Sequence, residues 1–327
     1  MTRFARYCAA FVLLTACAAA QDQPIRVDVD LVNILFTVKA KKGGALIPNL
    51  EKNNFAINED GKPQTIQRFS RETDLPLTLG LLIDISARQD RLIDIEREAA
   101  SAFFSSVIRS KDEAFLISFG KSTDLLQDYT NSPRQLSAAL RDLRGDGPGA
   151  VGVGPIPNSG PVPTIGTPKG TLLFDAIYLA SDEKLKTEVG RKALILITDG
   201  EDQGSTYNRR AAIEAAQRSD AVVYSIYYVD HAFYSGGGIS LGGGNEGDLK
   251  KISEETGGHV FSVSKKHPLD EIFKQIQDEL RSQYSIGYSS TNSKRDGGFR
   301  HIEIKTDNPD YRVQARAGYY ATKNDVQ

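Results

Sequence analysis

The chain has 327 residues, 40% of them apolar and 25% charged, which is enough for a sizeable buried core and excludes a disordered chain. Forty lysines and arginines stand against 42 aspartates and glutamates, a net charge of −2 that leaves no basic footprint for nucleic acid. Both cysteines, Cys8 and Cys17, fall in the first twenty residues, so the remainder carries no internal disulfide.

In chain order, residues 1–20 come first. Arg3 and Arg6 precede the short apolar run "YCAAFVLLTACAAA", and Ala18-Ala19-Ala20 offers a small-residue cleavage site before Gln21. This pattern predicts an export signal. Leu14-Thr15-Ala16-Cys17 also resembles a lipoprotein processing box, in which Cys17 would carry a lipid anchor. Both readings place the protein in the periplasm, in the cell envelope or outside the cell. No other stretch approaches the roughly 18 apolar residues of a membrane span.

Residues 22–74 read as a β segment. "VDVDLVNILFTVKA" alternates apolar and polar positions, and "FAINEDGKPQTIQRF" puts an Asp-Gly turn between two short strands. Residues 284–322 read the same way, through "YSIGYSS", "FRHIEIKT" and "YRVQARAGYY". Each segment alone would leave an apolar face uncovered, so the two are expected to pair into one small β-sandwich with the middle of the chain as an insertion.

Residues 75–283 alternate strands and helices. "LPLTLGLLIDIS" is an unbroken apolar strand of the kind buried on both faces. A helix with Leu92, Ile95, Ala99, Phe103 and Val107 on its apolar face follows. Strands "EAFLISFG" and "TDLLQDY", a helix near "RQLSAALRDL", and a helix over "TLLFDAIYLASDEKL" come next. After them stand strand "KALILITD", helix "RRAAIEAAQRS", strand "AVVYSIYYVD", helix "EGDLKKISEETG", strand "HVFSV", and a last helix with Leu269, Ile272, Phe273, Ile276 and Leu280. The alternation predicts an α/β fold: a doubly wound, mostly parallel six-stranded sheet with helices on both faces. Ligands of such sheets bind outside the carboxyl ends of the strands.

That edge receives Asp84 and Ser86 after the first strand, Thr171 at a helix start, and Asp199 after "LILIT". Carboxylate and hydroxyl oxygens gathered without cysteine or histidine suit Mg²⁺, or Mn²⁺ or Ca²⁺, in an open site that keeps some waters. Each residue also has a plainer reading: Asp84 and Ser86 as helix N-caps, Asp199-Gly200 as a turn.

"DISAR", the threonine of "KGTLLFDAI" and "LITDGED" resemble the three pieces of the metal-ion-dependent adhesion site of von Willebrand factor type A domains, whose first piece is Asp-x-Ser-x-Ser. With its β-rich flanks the chain is similar to the VWFA-related proteins described from acidobacteria. The resemblance implies a Rossmann-like domain over 75–283 and metal ligation by Asp84, Ser86, Thr171 and Asp199. It also implies a non-enzymatic role in which an acidic residue of a protein partner completes the metal's coordination. Arg88 departs from the pattern: it stands where the second serine is expected and brings a fixed positive charge. A guanidinium about 5 Å from a divalent ion is repelled by a few kcal/mol. Two placements follow. Arg88 turned outward leaves a four-residue metal site; Arg88 turned inward pairs with Asp84 or Asp199, replaces the metal's charge, and can itself meet a partner carboxylate.

The Gly/Pro-rich stretch 145–170 and the glycine stretch 234–247 are expected to rim this edge. Two G-x-G-x-x-G matches, at Gly147/Gly149/Gly152 and Gly242/Gly244/Gly247, lack the strand-to-helix context of a dinucleotide site. His231, His259, His267 and His301 form no H-E-x-x-H, and no G-x-S-x-G elbow occurs. The expected function is an exported protein-binding or adhesion module; the alternative is a structural or assembly subunit of an envelope complex with an inactive metal site.

Overall fold

The computed structural model describes residues 31–71, 75–146, 170–230, 244–321 and 323. The export segment with Cys17, Val27 and Val29, His231, and most of the 145–170 and 234–247 stretches lie outside the described residues.

The amino-terminal segment supplies β1 (Leu31–Ala40), β2 (Phe55–Glu59), β3 (Lys62–Gln64) and β4 (Arg68–Arg71). Asp60 and Gly61, at φ 47° and 77°, make the tight β2–β3 turn, a left-handed pair that Asp-Gly adopts readily. The middle of the chain follows with β5 (Leu77–Asp84), α1 (Ile93–Val107), β6 (Glu113–Phe119), β7 (Thr123–Thr130) and α2 (Pro133–Arg141). It continues with α3 (Leu173–Leu179), which runs on as a π-helical turn over Ala180–Leu185, then β8 (Arg191–Thr198), α4 (Arg209–Arg218) and β9 (Ala221–Tyr227). Then come α5 (Glu246–Thr256), β10 (Val260–Ser262) and α6 (Leu269–Leu280). The chain closes with β11 (Tyr284–Ser289), β12 (Phe299–Thr306), β13 (Tyr311–Ala315) and β14 (Gly318–Tyr320).

Six strands form one sheet in the order β10-β9-β8-β5-β6-β7, parallel throughout except for β7, which runs antiparallel to β6. Every residue of β5 is buried because both faces are covered. Leu79, Leu81 and Ile83 point into a core with Phe103 and Phe104 of α1 and Ile272 and Phe273 of α6. Leu82 points the other way, among Leu173 and Ile177 of α3, Ile213 of α4 and Leu249 of α5. Gly80 is fixed by this packing: a Cβ there would lie 2.4 Å from Phe115 Cζ and 2.6 Å from Leu194 Cδ2.

The terminal segments interleave into two antiparallel sheets, β13-β1-β11-β4 and β14-β12-β2-β3. Their facing sides share one core, with Ile34, Phe36, Phe55, Ile57, Tyr284 and Ile286 at its centre, as the paired-ends expectation requires. Phe36 meets Phe55 edge-on at 5.0 Å and stacks on Tyr284 at 5.4 Å. Lys39 of β1 reaches Glu279 of α6 at 2.6 Å, and Gln314 of β13 donates to Gly257 O after α5 at 3.1 Å. Arg316 pairs with Asp220 and donates to Asn33 O at 3.0 Å. His259 has its Nδ1 3.0 Å from Gln314 Nε2; burial, then Lys39 and Arg312, push its pKa down to about 3, so the imidazole is neutral.

One helix differs from the sequence expectation. In α1 the buried face is Ile93, Glu96, Ala100, Phe103, Phe104 and Val107, while Ile95 is 52% exposed. Ile93 and Ile95 are 200° apart on a helix and cannot share a face. Burying Ile93 carries Glu96, three residues on, into the interior with it.

Candidate functional site

β5 and β8 lie side by side, so their carboxyl ends deliver Asp84 and Asp199 to the same edge, both with no exposed surface. Asp84 accepts at Oδ1 from Ser86 N (2.9 Å) and at Oδ2 from the Thr198 hydroxyl (2.6 Å). Burial, and after it the charge of Asp199, push the Asp84 carboxyl up to about 6 against those hydrogen bonds. Thr198 in turn accepts from Gly200 N at 3.1 Å, and Asp199 Oδ1 accepts from Glu201 N at 3.0 Å, which shapes the loop after β8.

Thr171 is brought in by a short bridge: Gln203 N donates to Thr171 O at 2.8 Å, and Leu172 N donates to Gly120 O at 3.0 Å. Asp202 caps α3 from the same loop through Phe174 N at 3.1 Å. The described ends of the two glycine-rich stretches are tied here as well, Asp146 N to Ile85 O at 2.7 Å and Asn245 N to Asp199 O at 2.8 Å.

The residues named from the sequence therefore meet in one cleft, and Arg88 is inside it. Its Nε donates to Asp199 Oδ2 at 2.7 Å and its Nη2 to Thr171 Oγ1 at 2.9 Å, with the side chain only 14% exposed. The inward placement is the one observed, with Asp199 as the partner. Neither Asp84 nor Ser86 acts as a helix N-cap: α1 begins at Ile93, and Leu92 occupies the cap position.

Two further residues belong to this neighbourhood. Gln89, fully buried, donates through Nε2 to Tyr228 O at 3.0 Å, and its Oε1 has no hydrogen-bond partner. Glu96, also fully buried, has neither carboxyl oxygen hydrogen-bonded among the described residues. Burial and then the charge of Asp84 hold its carboxyl well above the usual range, so it favours the protonated form. The sequence signal for Glu96 was the choice of helical phase between Ile93 and Ile95, which the residues alone leave open.

The oxygens implied for a metal do not fit one as they stand. Each Asp84 oxygen already accepts one hydrogen bond, Arg88 holds Thr171 Oγ1 and Asp199 Oδ2, and the Ser86 hydroxyl lies close to Asp84 but completes no hydrogen bond, so the guanidinium stands among the oxygens a metal would need. A divalent ion 5 Å from the guanidinium would be repelled by about 7 kcal/mol at an effective dielectric of about 20. Among the described residues no group of three or more histidine, cysteine, aspartate or glutamate side chains is placed to hold a metal ion.

Part of the chain matches a known family profile, and several solved structures are similar to it at low identity. Residues 162–275 match the profile of the von Willebrand factor type A domain. Similar solved structures include an aerotolerance-related membrane protein from Bacteroides fragilis, at 17% identity and TM-score 0.44, covering 62% of this chain and 98% of that one. A von Willebrand factor type A protein from Catenulispora acidiphila, at 12% identity and TM-score 0.46, covers 84% of this chain and 76% of that one. Proximal thread matrix protein 1 from the mussel byssus, solved with a zinc-occupied adhesion motif, is 12% identical with TM-score 0.45, covering 65% of this chain and 50% of that one. No curated protein matches the sequence.

Proposed function

From the premise that the chain carries a von Willebrand factor type A domain, we propose a non-enzymatic protein-binding module that works in the cell envelope or outside the cell, with the strand-end edge as its contact surface. The observation that carries this reading is how the cleft spends its polar groups. Arg88 is committed to Asp199 and Thr171, and Asp84 to Thr198, so the edge offers a fixed, preorganised shape. General acid–base or nucleophilic chemistry needs a titratable group within reach of a substrate, and here Asp84, Asp199 and Glu96 have no exposed surface. Beyond the buried Asp199 and Gly200 the loop after β8 exposes Gln203 and Gly204, and at its far end the exposed Tyr207 stacks on Tyr178 of α3 at 3.6 Å. A rigid aromatic pair with one ring exposed is a favourable anchor for a partner. No helix among the described residues is long and apolar enough to cross a membrane. Export rests on the composition of residues 1–20, and the processing site at Cys17 would make the product a lipoprotein.

Photo-cross-linking residues placed at Gln203 and at Ser110, an exposed position at the opposite edge of the sheet, test the reading in cells. Adducts are expected from Gln203 and not from Ser110, with Tyr207→Ala reducing them. Equal yields from the two edges would refute it. The Arg88 pairing also favours a second reading, a structural or assembly subunit whose cleft touches nothing. That reading expects no adduct from Gln203 and cross-links only from the sandwich.

A further inference from the structure

A hard cation in the strand-end cleft would require oxygens of Asp84, Ser86, Thr171 and Asp199 to converge on one point. Three of these residues are already hydrogen-bonded within the protein, two of them, Thr171 and Asp199, to the guanidinium of Arg88. Arg88 does the joining: one planar, permanently charged group reaches a carboxylate on the loop after β8 at 2.7 Å and a hydroxyl at the start of α3 at 2.9 Å. Linking oxygens delivered by separate loops is the structural work of a bound metal in an oxygen site. Asp199 is wholly buried, and a buried carboxylate needs both compensating charge and hydrogen bonds, which the guanidinium supplies together. The side chain can do this because it starts four residues after Asp84 and crosses the cleft, with 14% of its surface exposed.

We propose that Arg88 is the resident cation of this cleft: its guanidinium stands in for a divalent ion in bridging Asp199 to Thr171, and the surrounding oxygens form a latent metal site that opens only when the arginine is shortened. The assignment goes beyond the binding role above and holds whether or not a partner docks at the edge. It also means that contact there does not proceed by capture of a partner's carboxylate on a metal. Arg88 at the second serine position is then a substitution of one cation for another, and not the loss of a single ligand.

The test uses the full chain, with Mn²⁺ and Mg²⁺ as probes, calorimetric titration, and the Nε–H resonance of Arg88. The wild-type protein is expected to take up neither ion at millimolar concentration, and the Arg88 resonance to stay unmoved. Arg88→Ser is expected to bind one Mn²⁺ and to gain about 5 °C in melting temperature at a hundredfold excess over Kd. Adding Thr171→Val to that variant should weaken its Mn²⁺ affinity about tenfold. Wild-type uptake of one Mn²⁺ with displacement of the Arg88 resonance would overturn the proposal. A folded Arg88→Ser protein that binds no Mn²⁺ would also overturn it. If Arg88→Ser does not fold, Arg88→Ser combined with Glu96→Gln removes one buried carboxylate and is titrated in its place, with the same two outcomes.

Discussion

Glu96→Gln is the substitution whose effect follows most directly from the structure. The wild-type carboxyl has no exposed surface and, among the described residues, no hydrogen bond to either oxygen, and it is held well above its unfolded value of 4.5 by burial and then by Asp84. Because the native state keeps this proton to a higher pH than the unfolded state does, the group contributes no penalty below pH 4.5. As pH rises past 4.5 the unfolded chain releases the proton first, and the folded state loses about 1.4 kcal/mol per pH unit until the native pKa is reached. Glutamine has the same shape and no charge to bury, so it is free of that slope. Urea unfolding of both proteins at pH 4.5, 5.5 and 6.5 should therefore give a stability difference that starts small and widens in favour of Glu96→Gln as pH rises, by at most about 1.4 kcal/mol per pH unit. Parallel stability curves, or a wild-type protein that gains on the variant as pH rises, would refute a partnerless buried carboxyl and point to a cation beside it.

The other predictions concern packing and pairing. Arg88→Met keeps an apolar stem but strands the buried Asp199 carboxylate, and should cost about 3 kcal/mol in urea unfolding at pH 7; a loss below about 1 kcal/mol would place Arg88 outside the cleft. Gly80→Ala drives a methyl against the Phe115 ring and Leu194 in the middle of the central sheet, and should lower stability by about 1–3 kcal/mol in thermal melts. Lys39→Met removes the partner of Glu279, whose side chain is 4% exposed, at the contact between β1 and α6. It is expected to cost about 2–3 kcal/mol, read by denaturant unfolding.

Much of the site could be read from the residues because strand ends are determined by hydrophobic pattern. The apolar runs ending at Asp84 and Thr198 had to be central strands, and parallel pairing then brings Asp84 and Asp199 together. Thr171 followed from its place before a helix. Alternation in "VDVDLVNILFTVKA" and "YRVQARAGYY" was likewise enough to pair the two ends of the chain, since neither had another cover for its apolar face. What could not be read depended on choices that only the folded core makes. Arginine is long enough to point outward or inward, and the choice was decided by a carboxylate and a hydroxyl that lie 111 and 83 residues away in sequence. The phase of α1 was ambiguous because Ile93 and Ile95 compete for the same interior. The winning phase buries a glutamate that apolar periodicity alone would have left on the surface. The pairing of Arg316 with Asp220, which ties the end of the chain to the α4–β9 turn, likewise joins residues 96 apart that no local pattern connects.

A guanidinium, in place of a metal ion, is proposed to hold the strand-end cleft. A crystal structure of the full chain grown in millimolar Mg²⁺ tests it most directly. Arg88 Nε is expected on Asp199 Oδ2 near 2.7 Å and Nη2 on Thr171 Oγ1 near 2.9 Å, unchanged by the metal. A Mg²⁺ ion coordinated by Ser86 and Thr171, with Arg88 swung out to solvent, would contradict it.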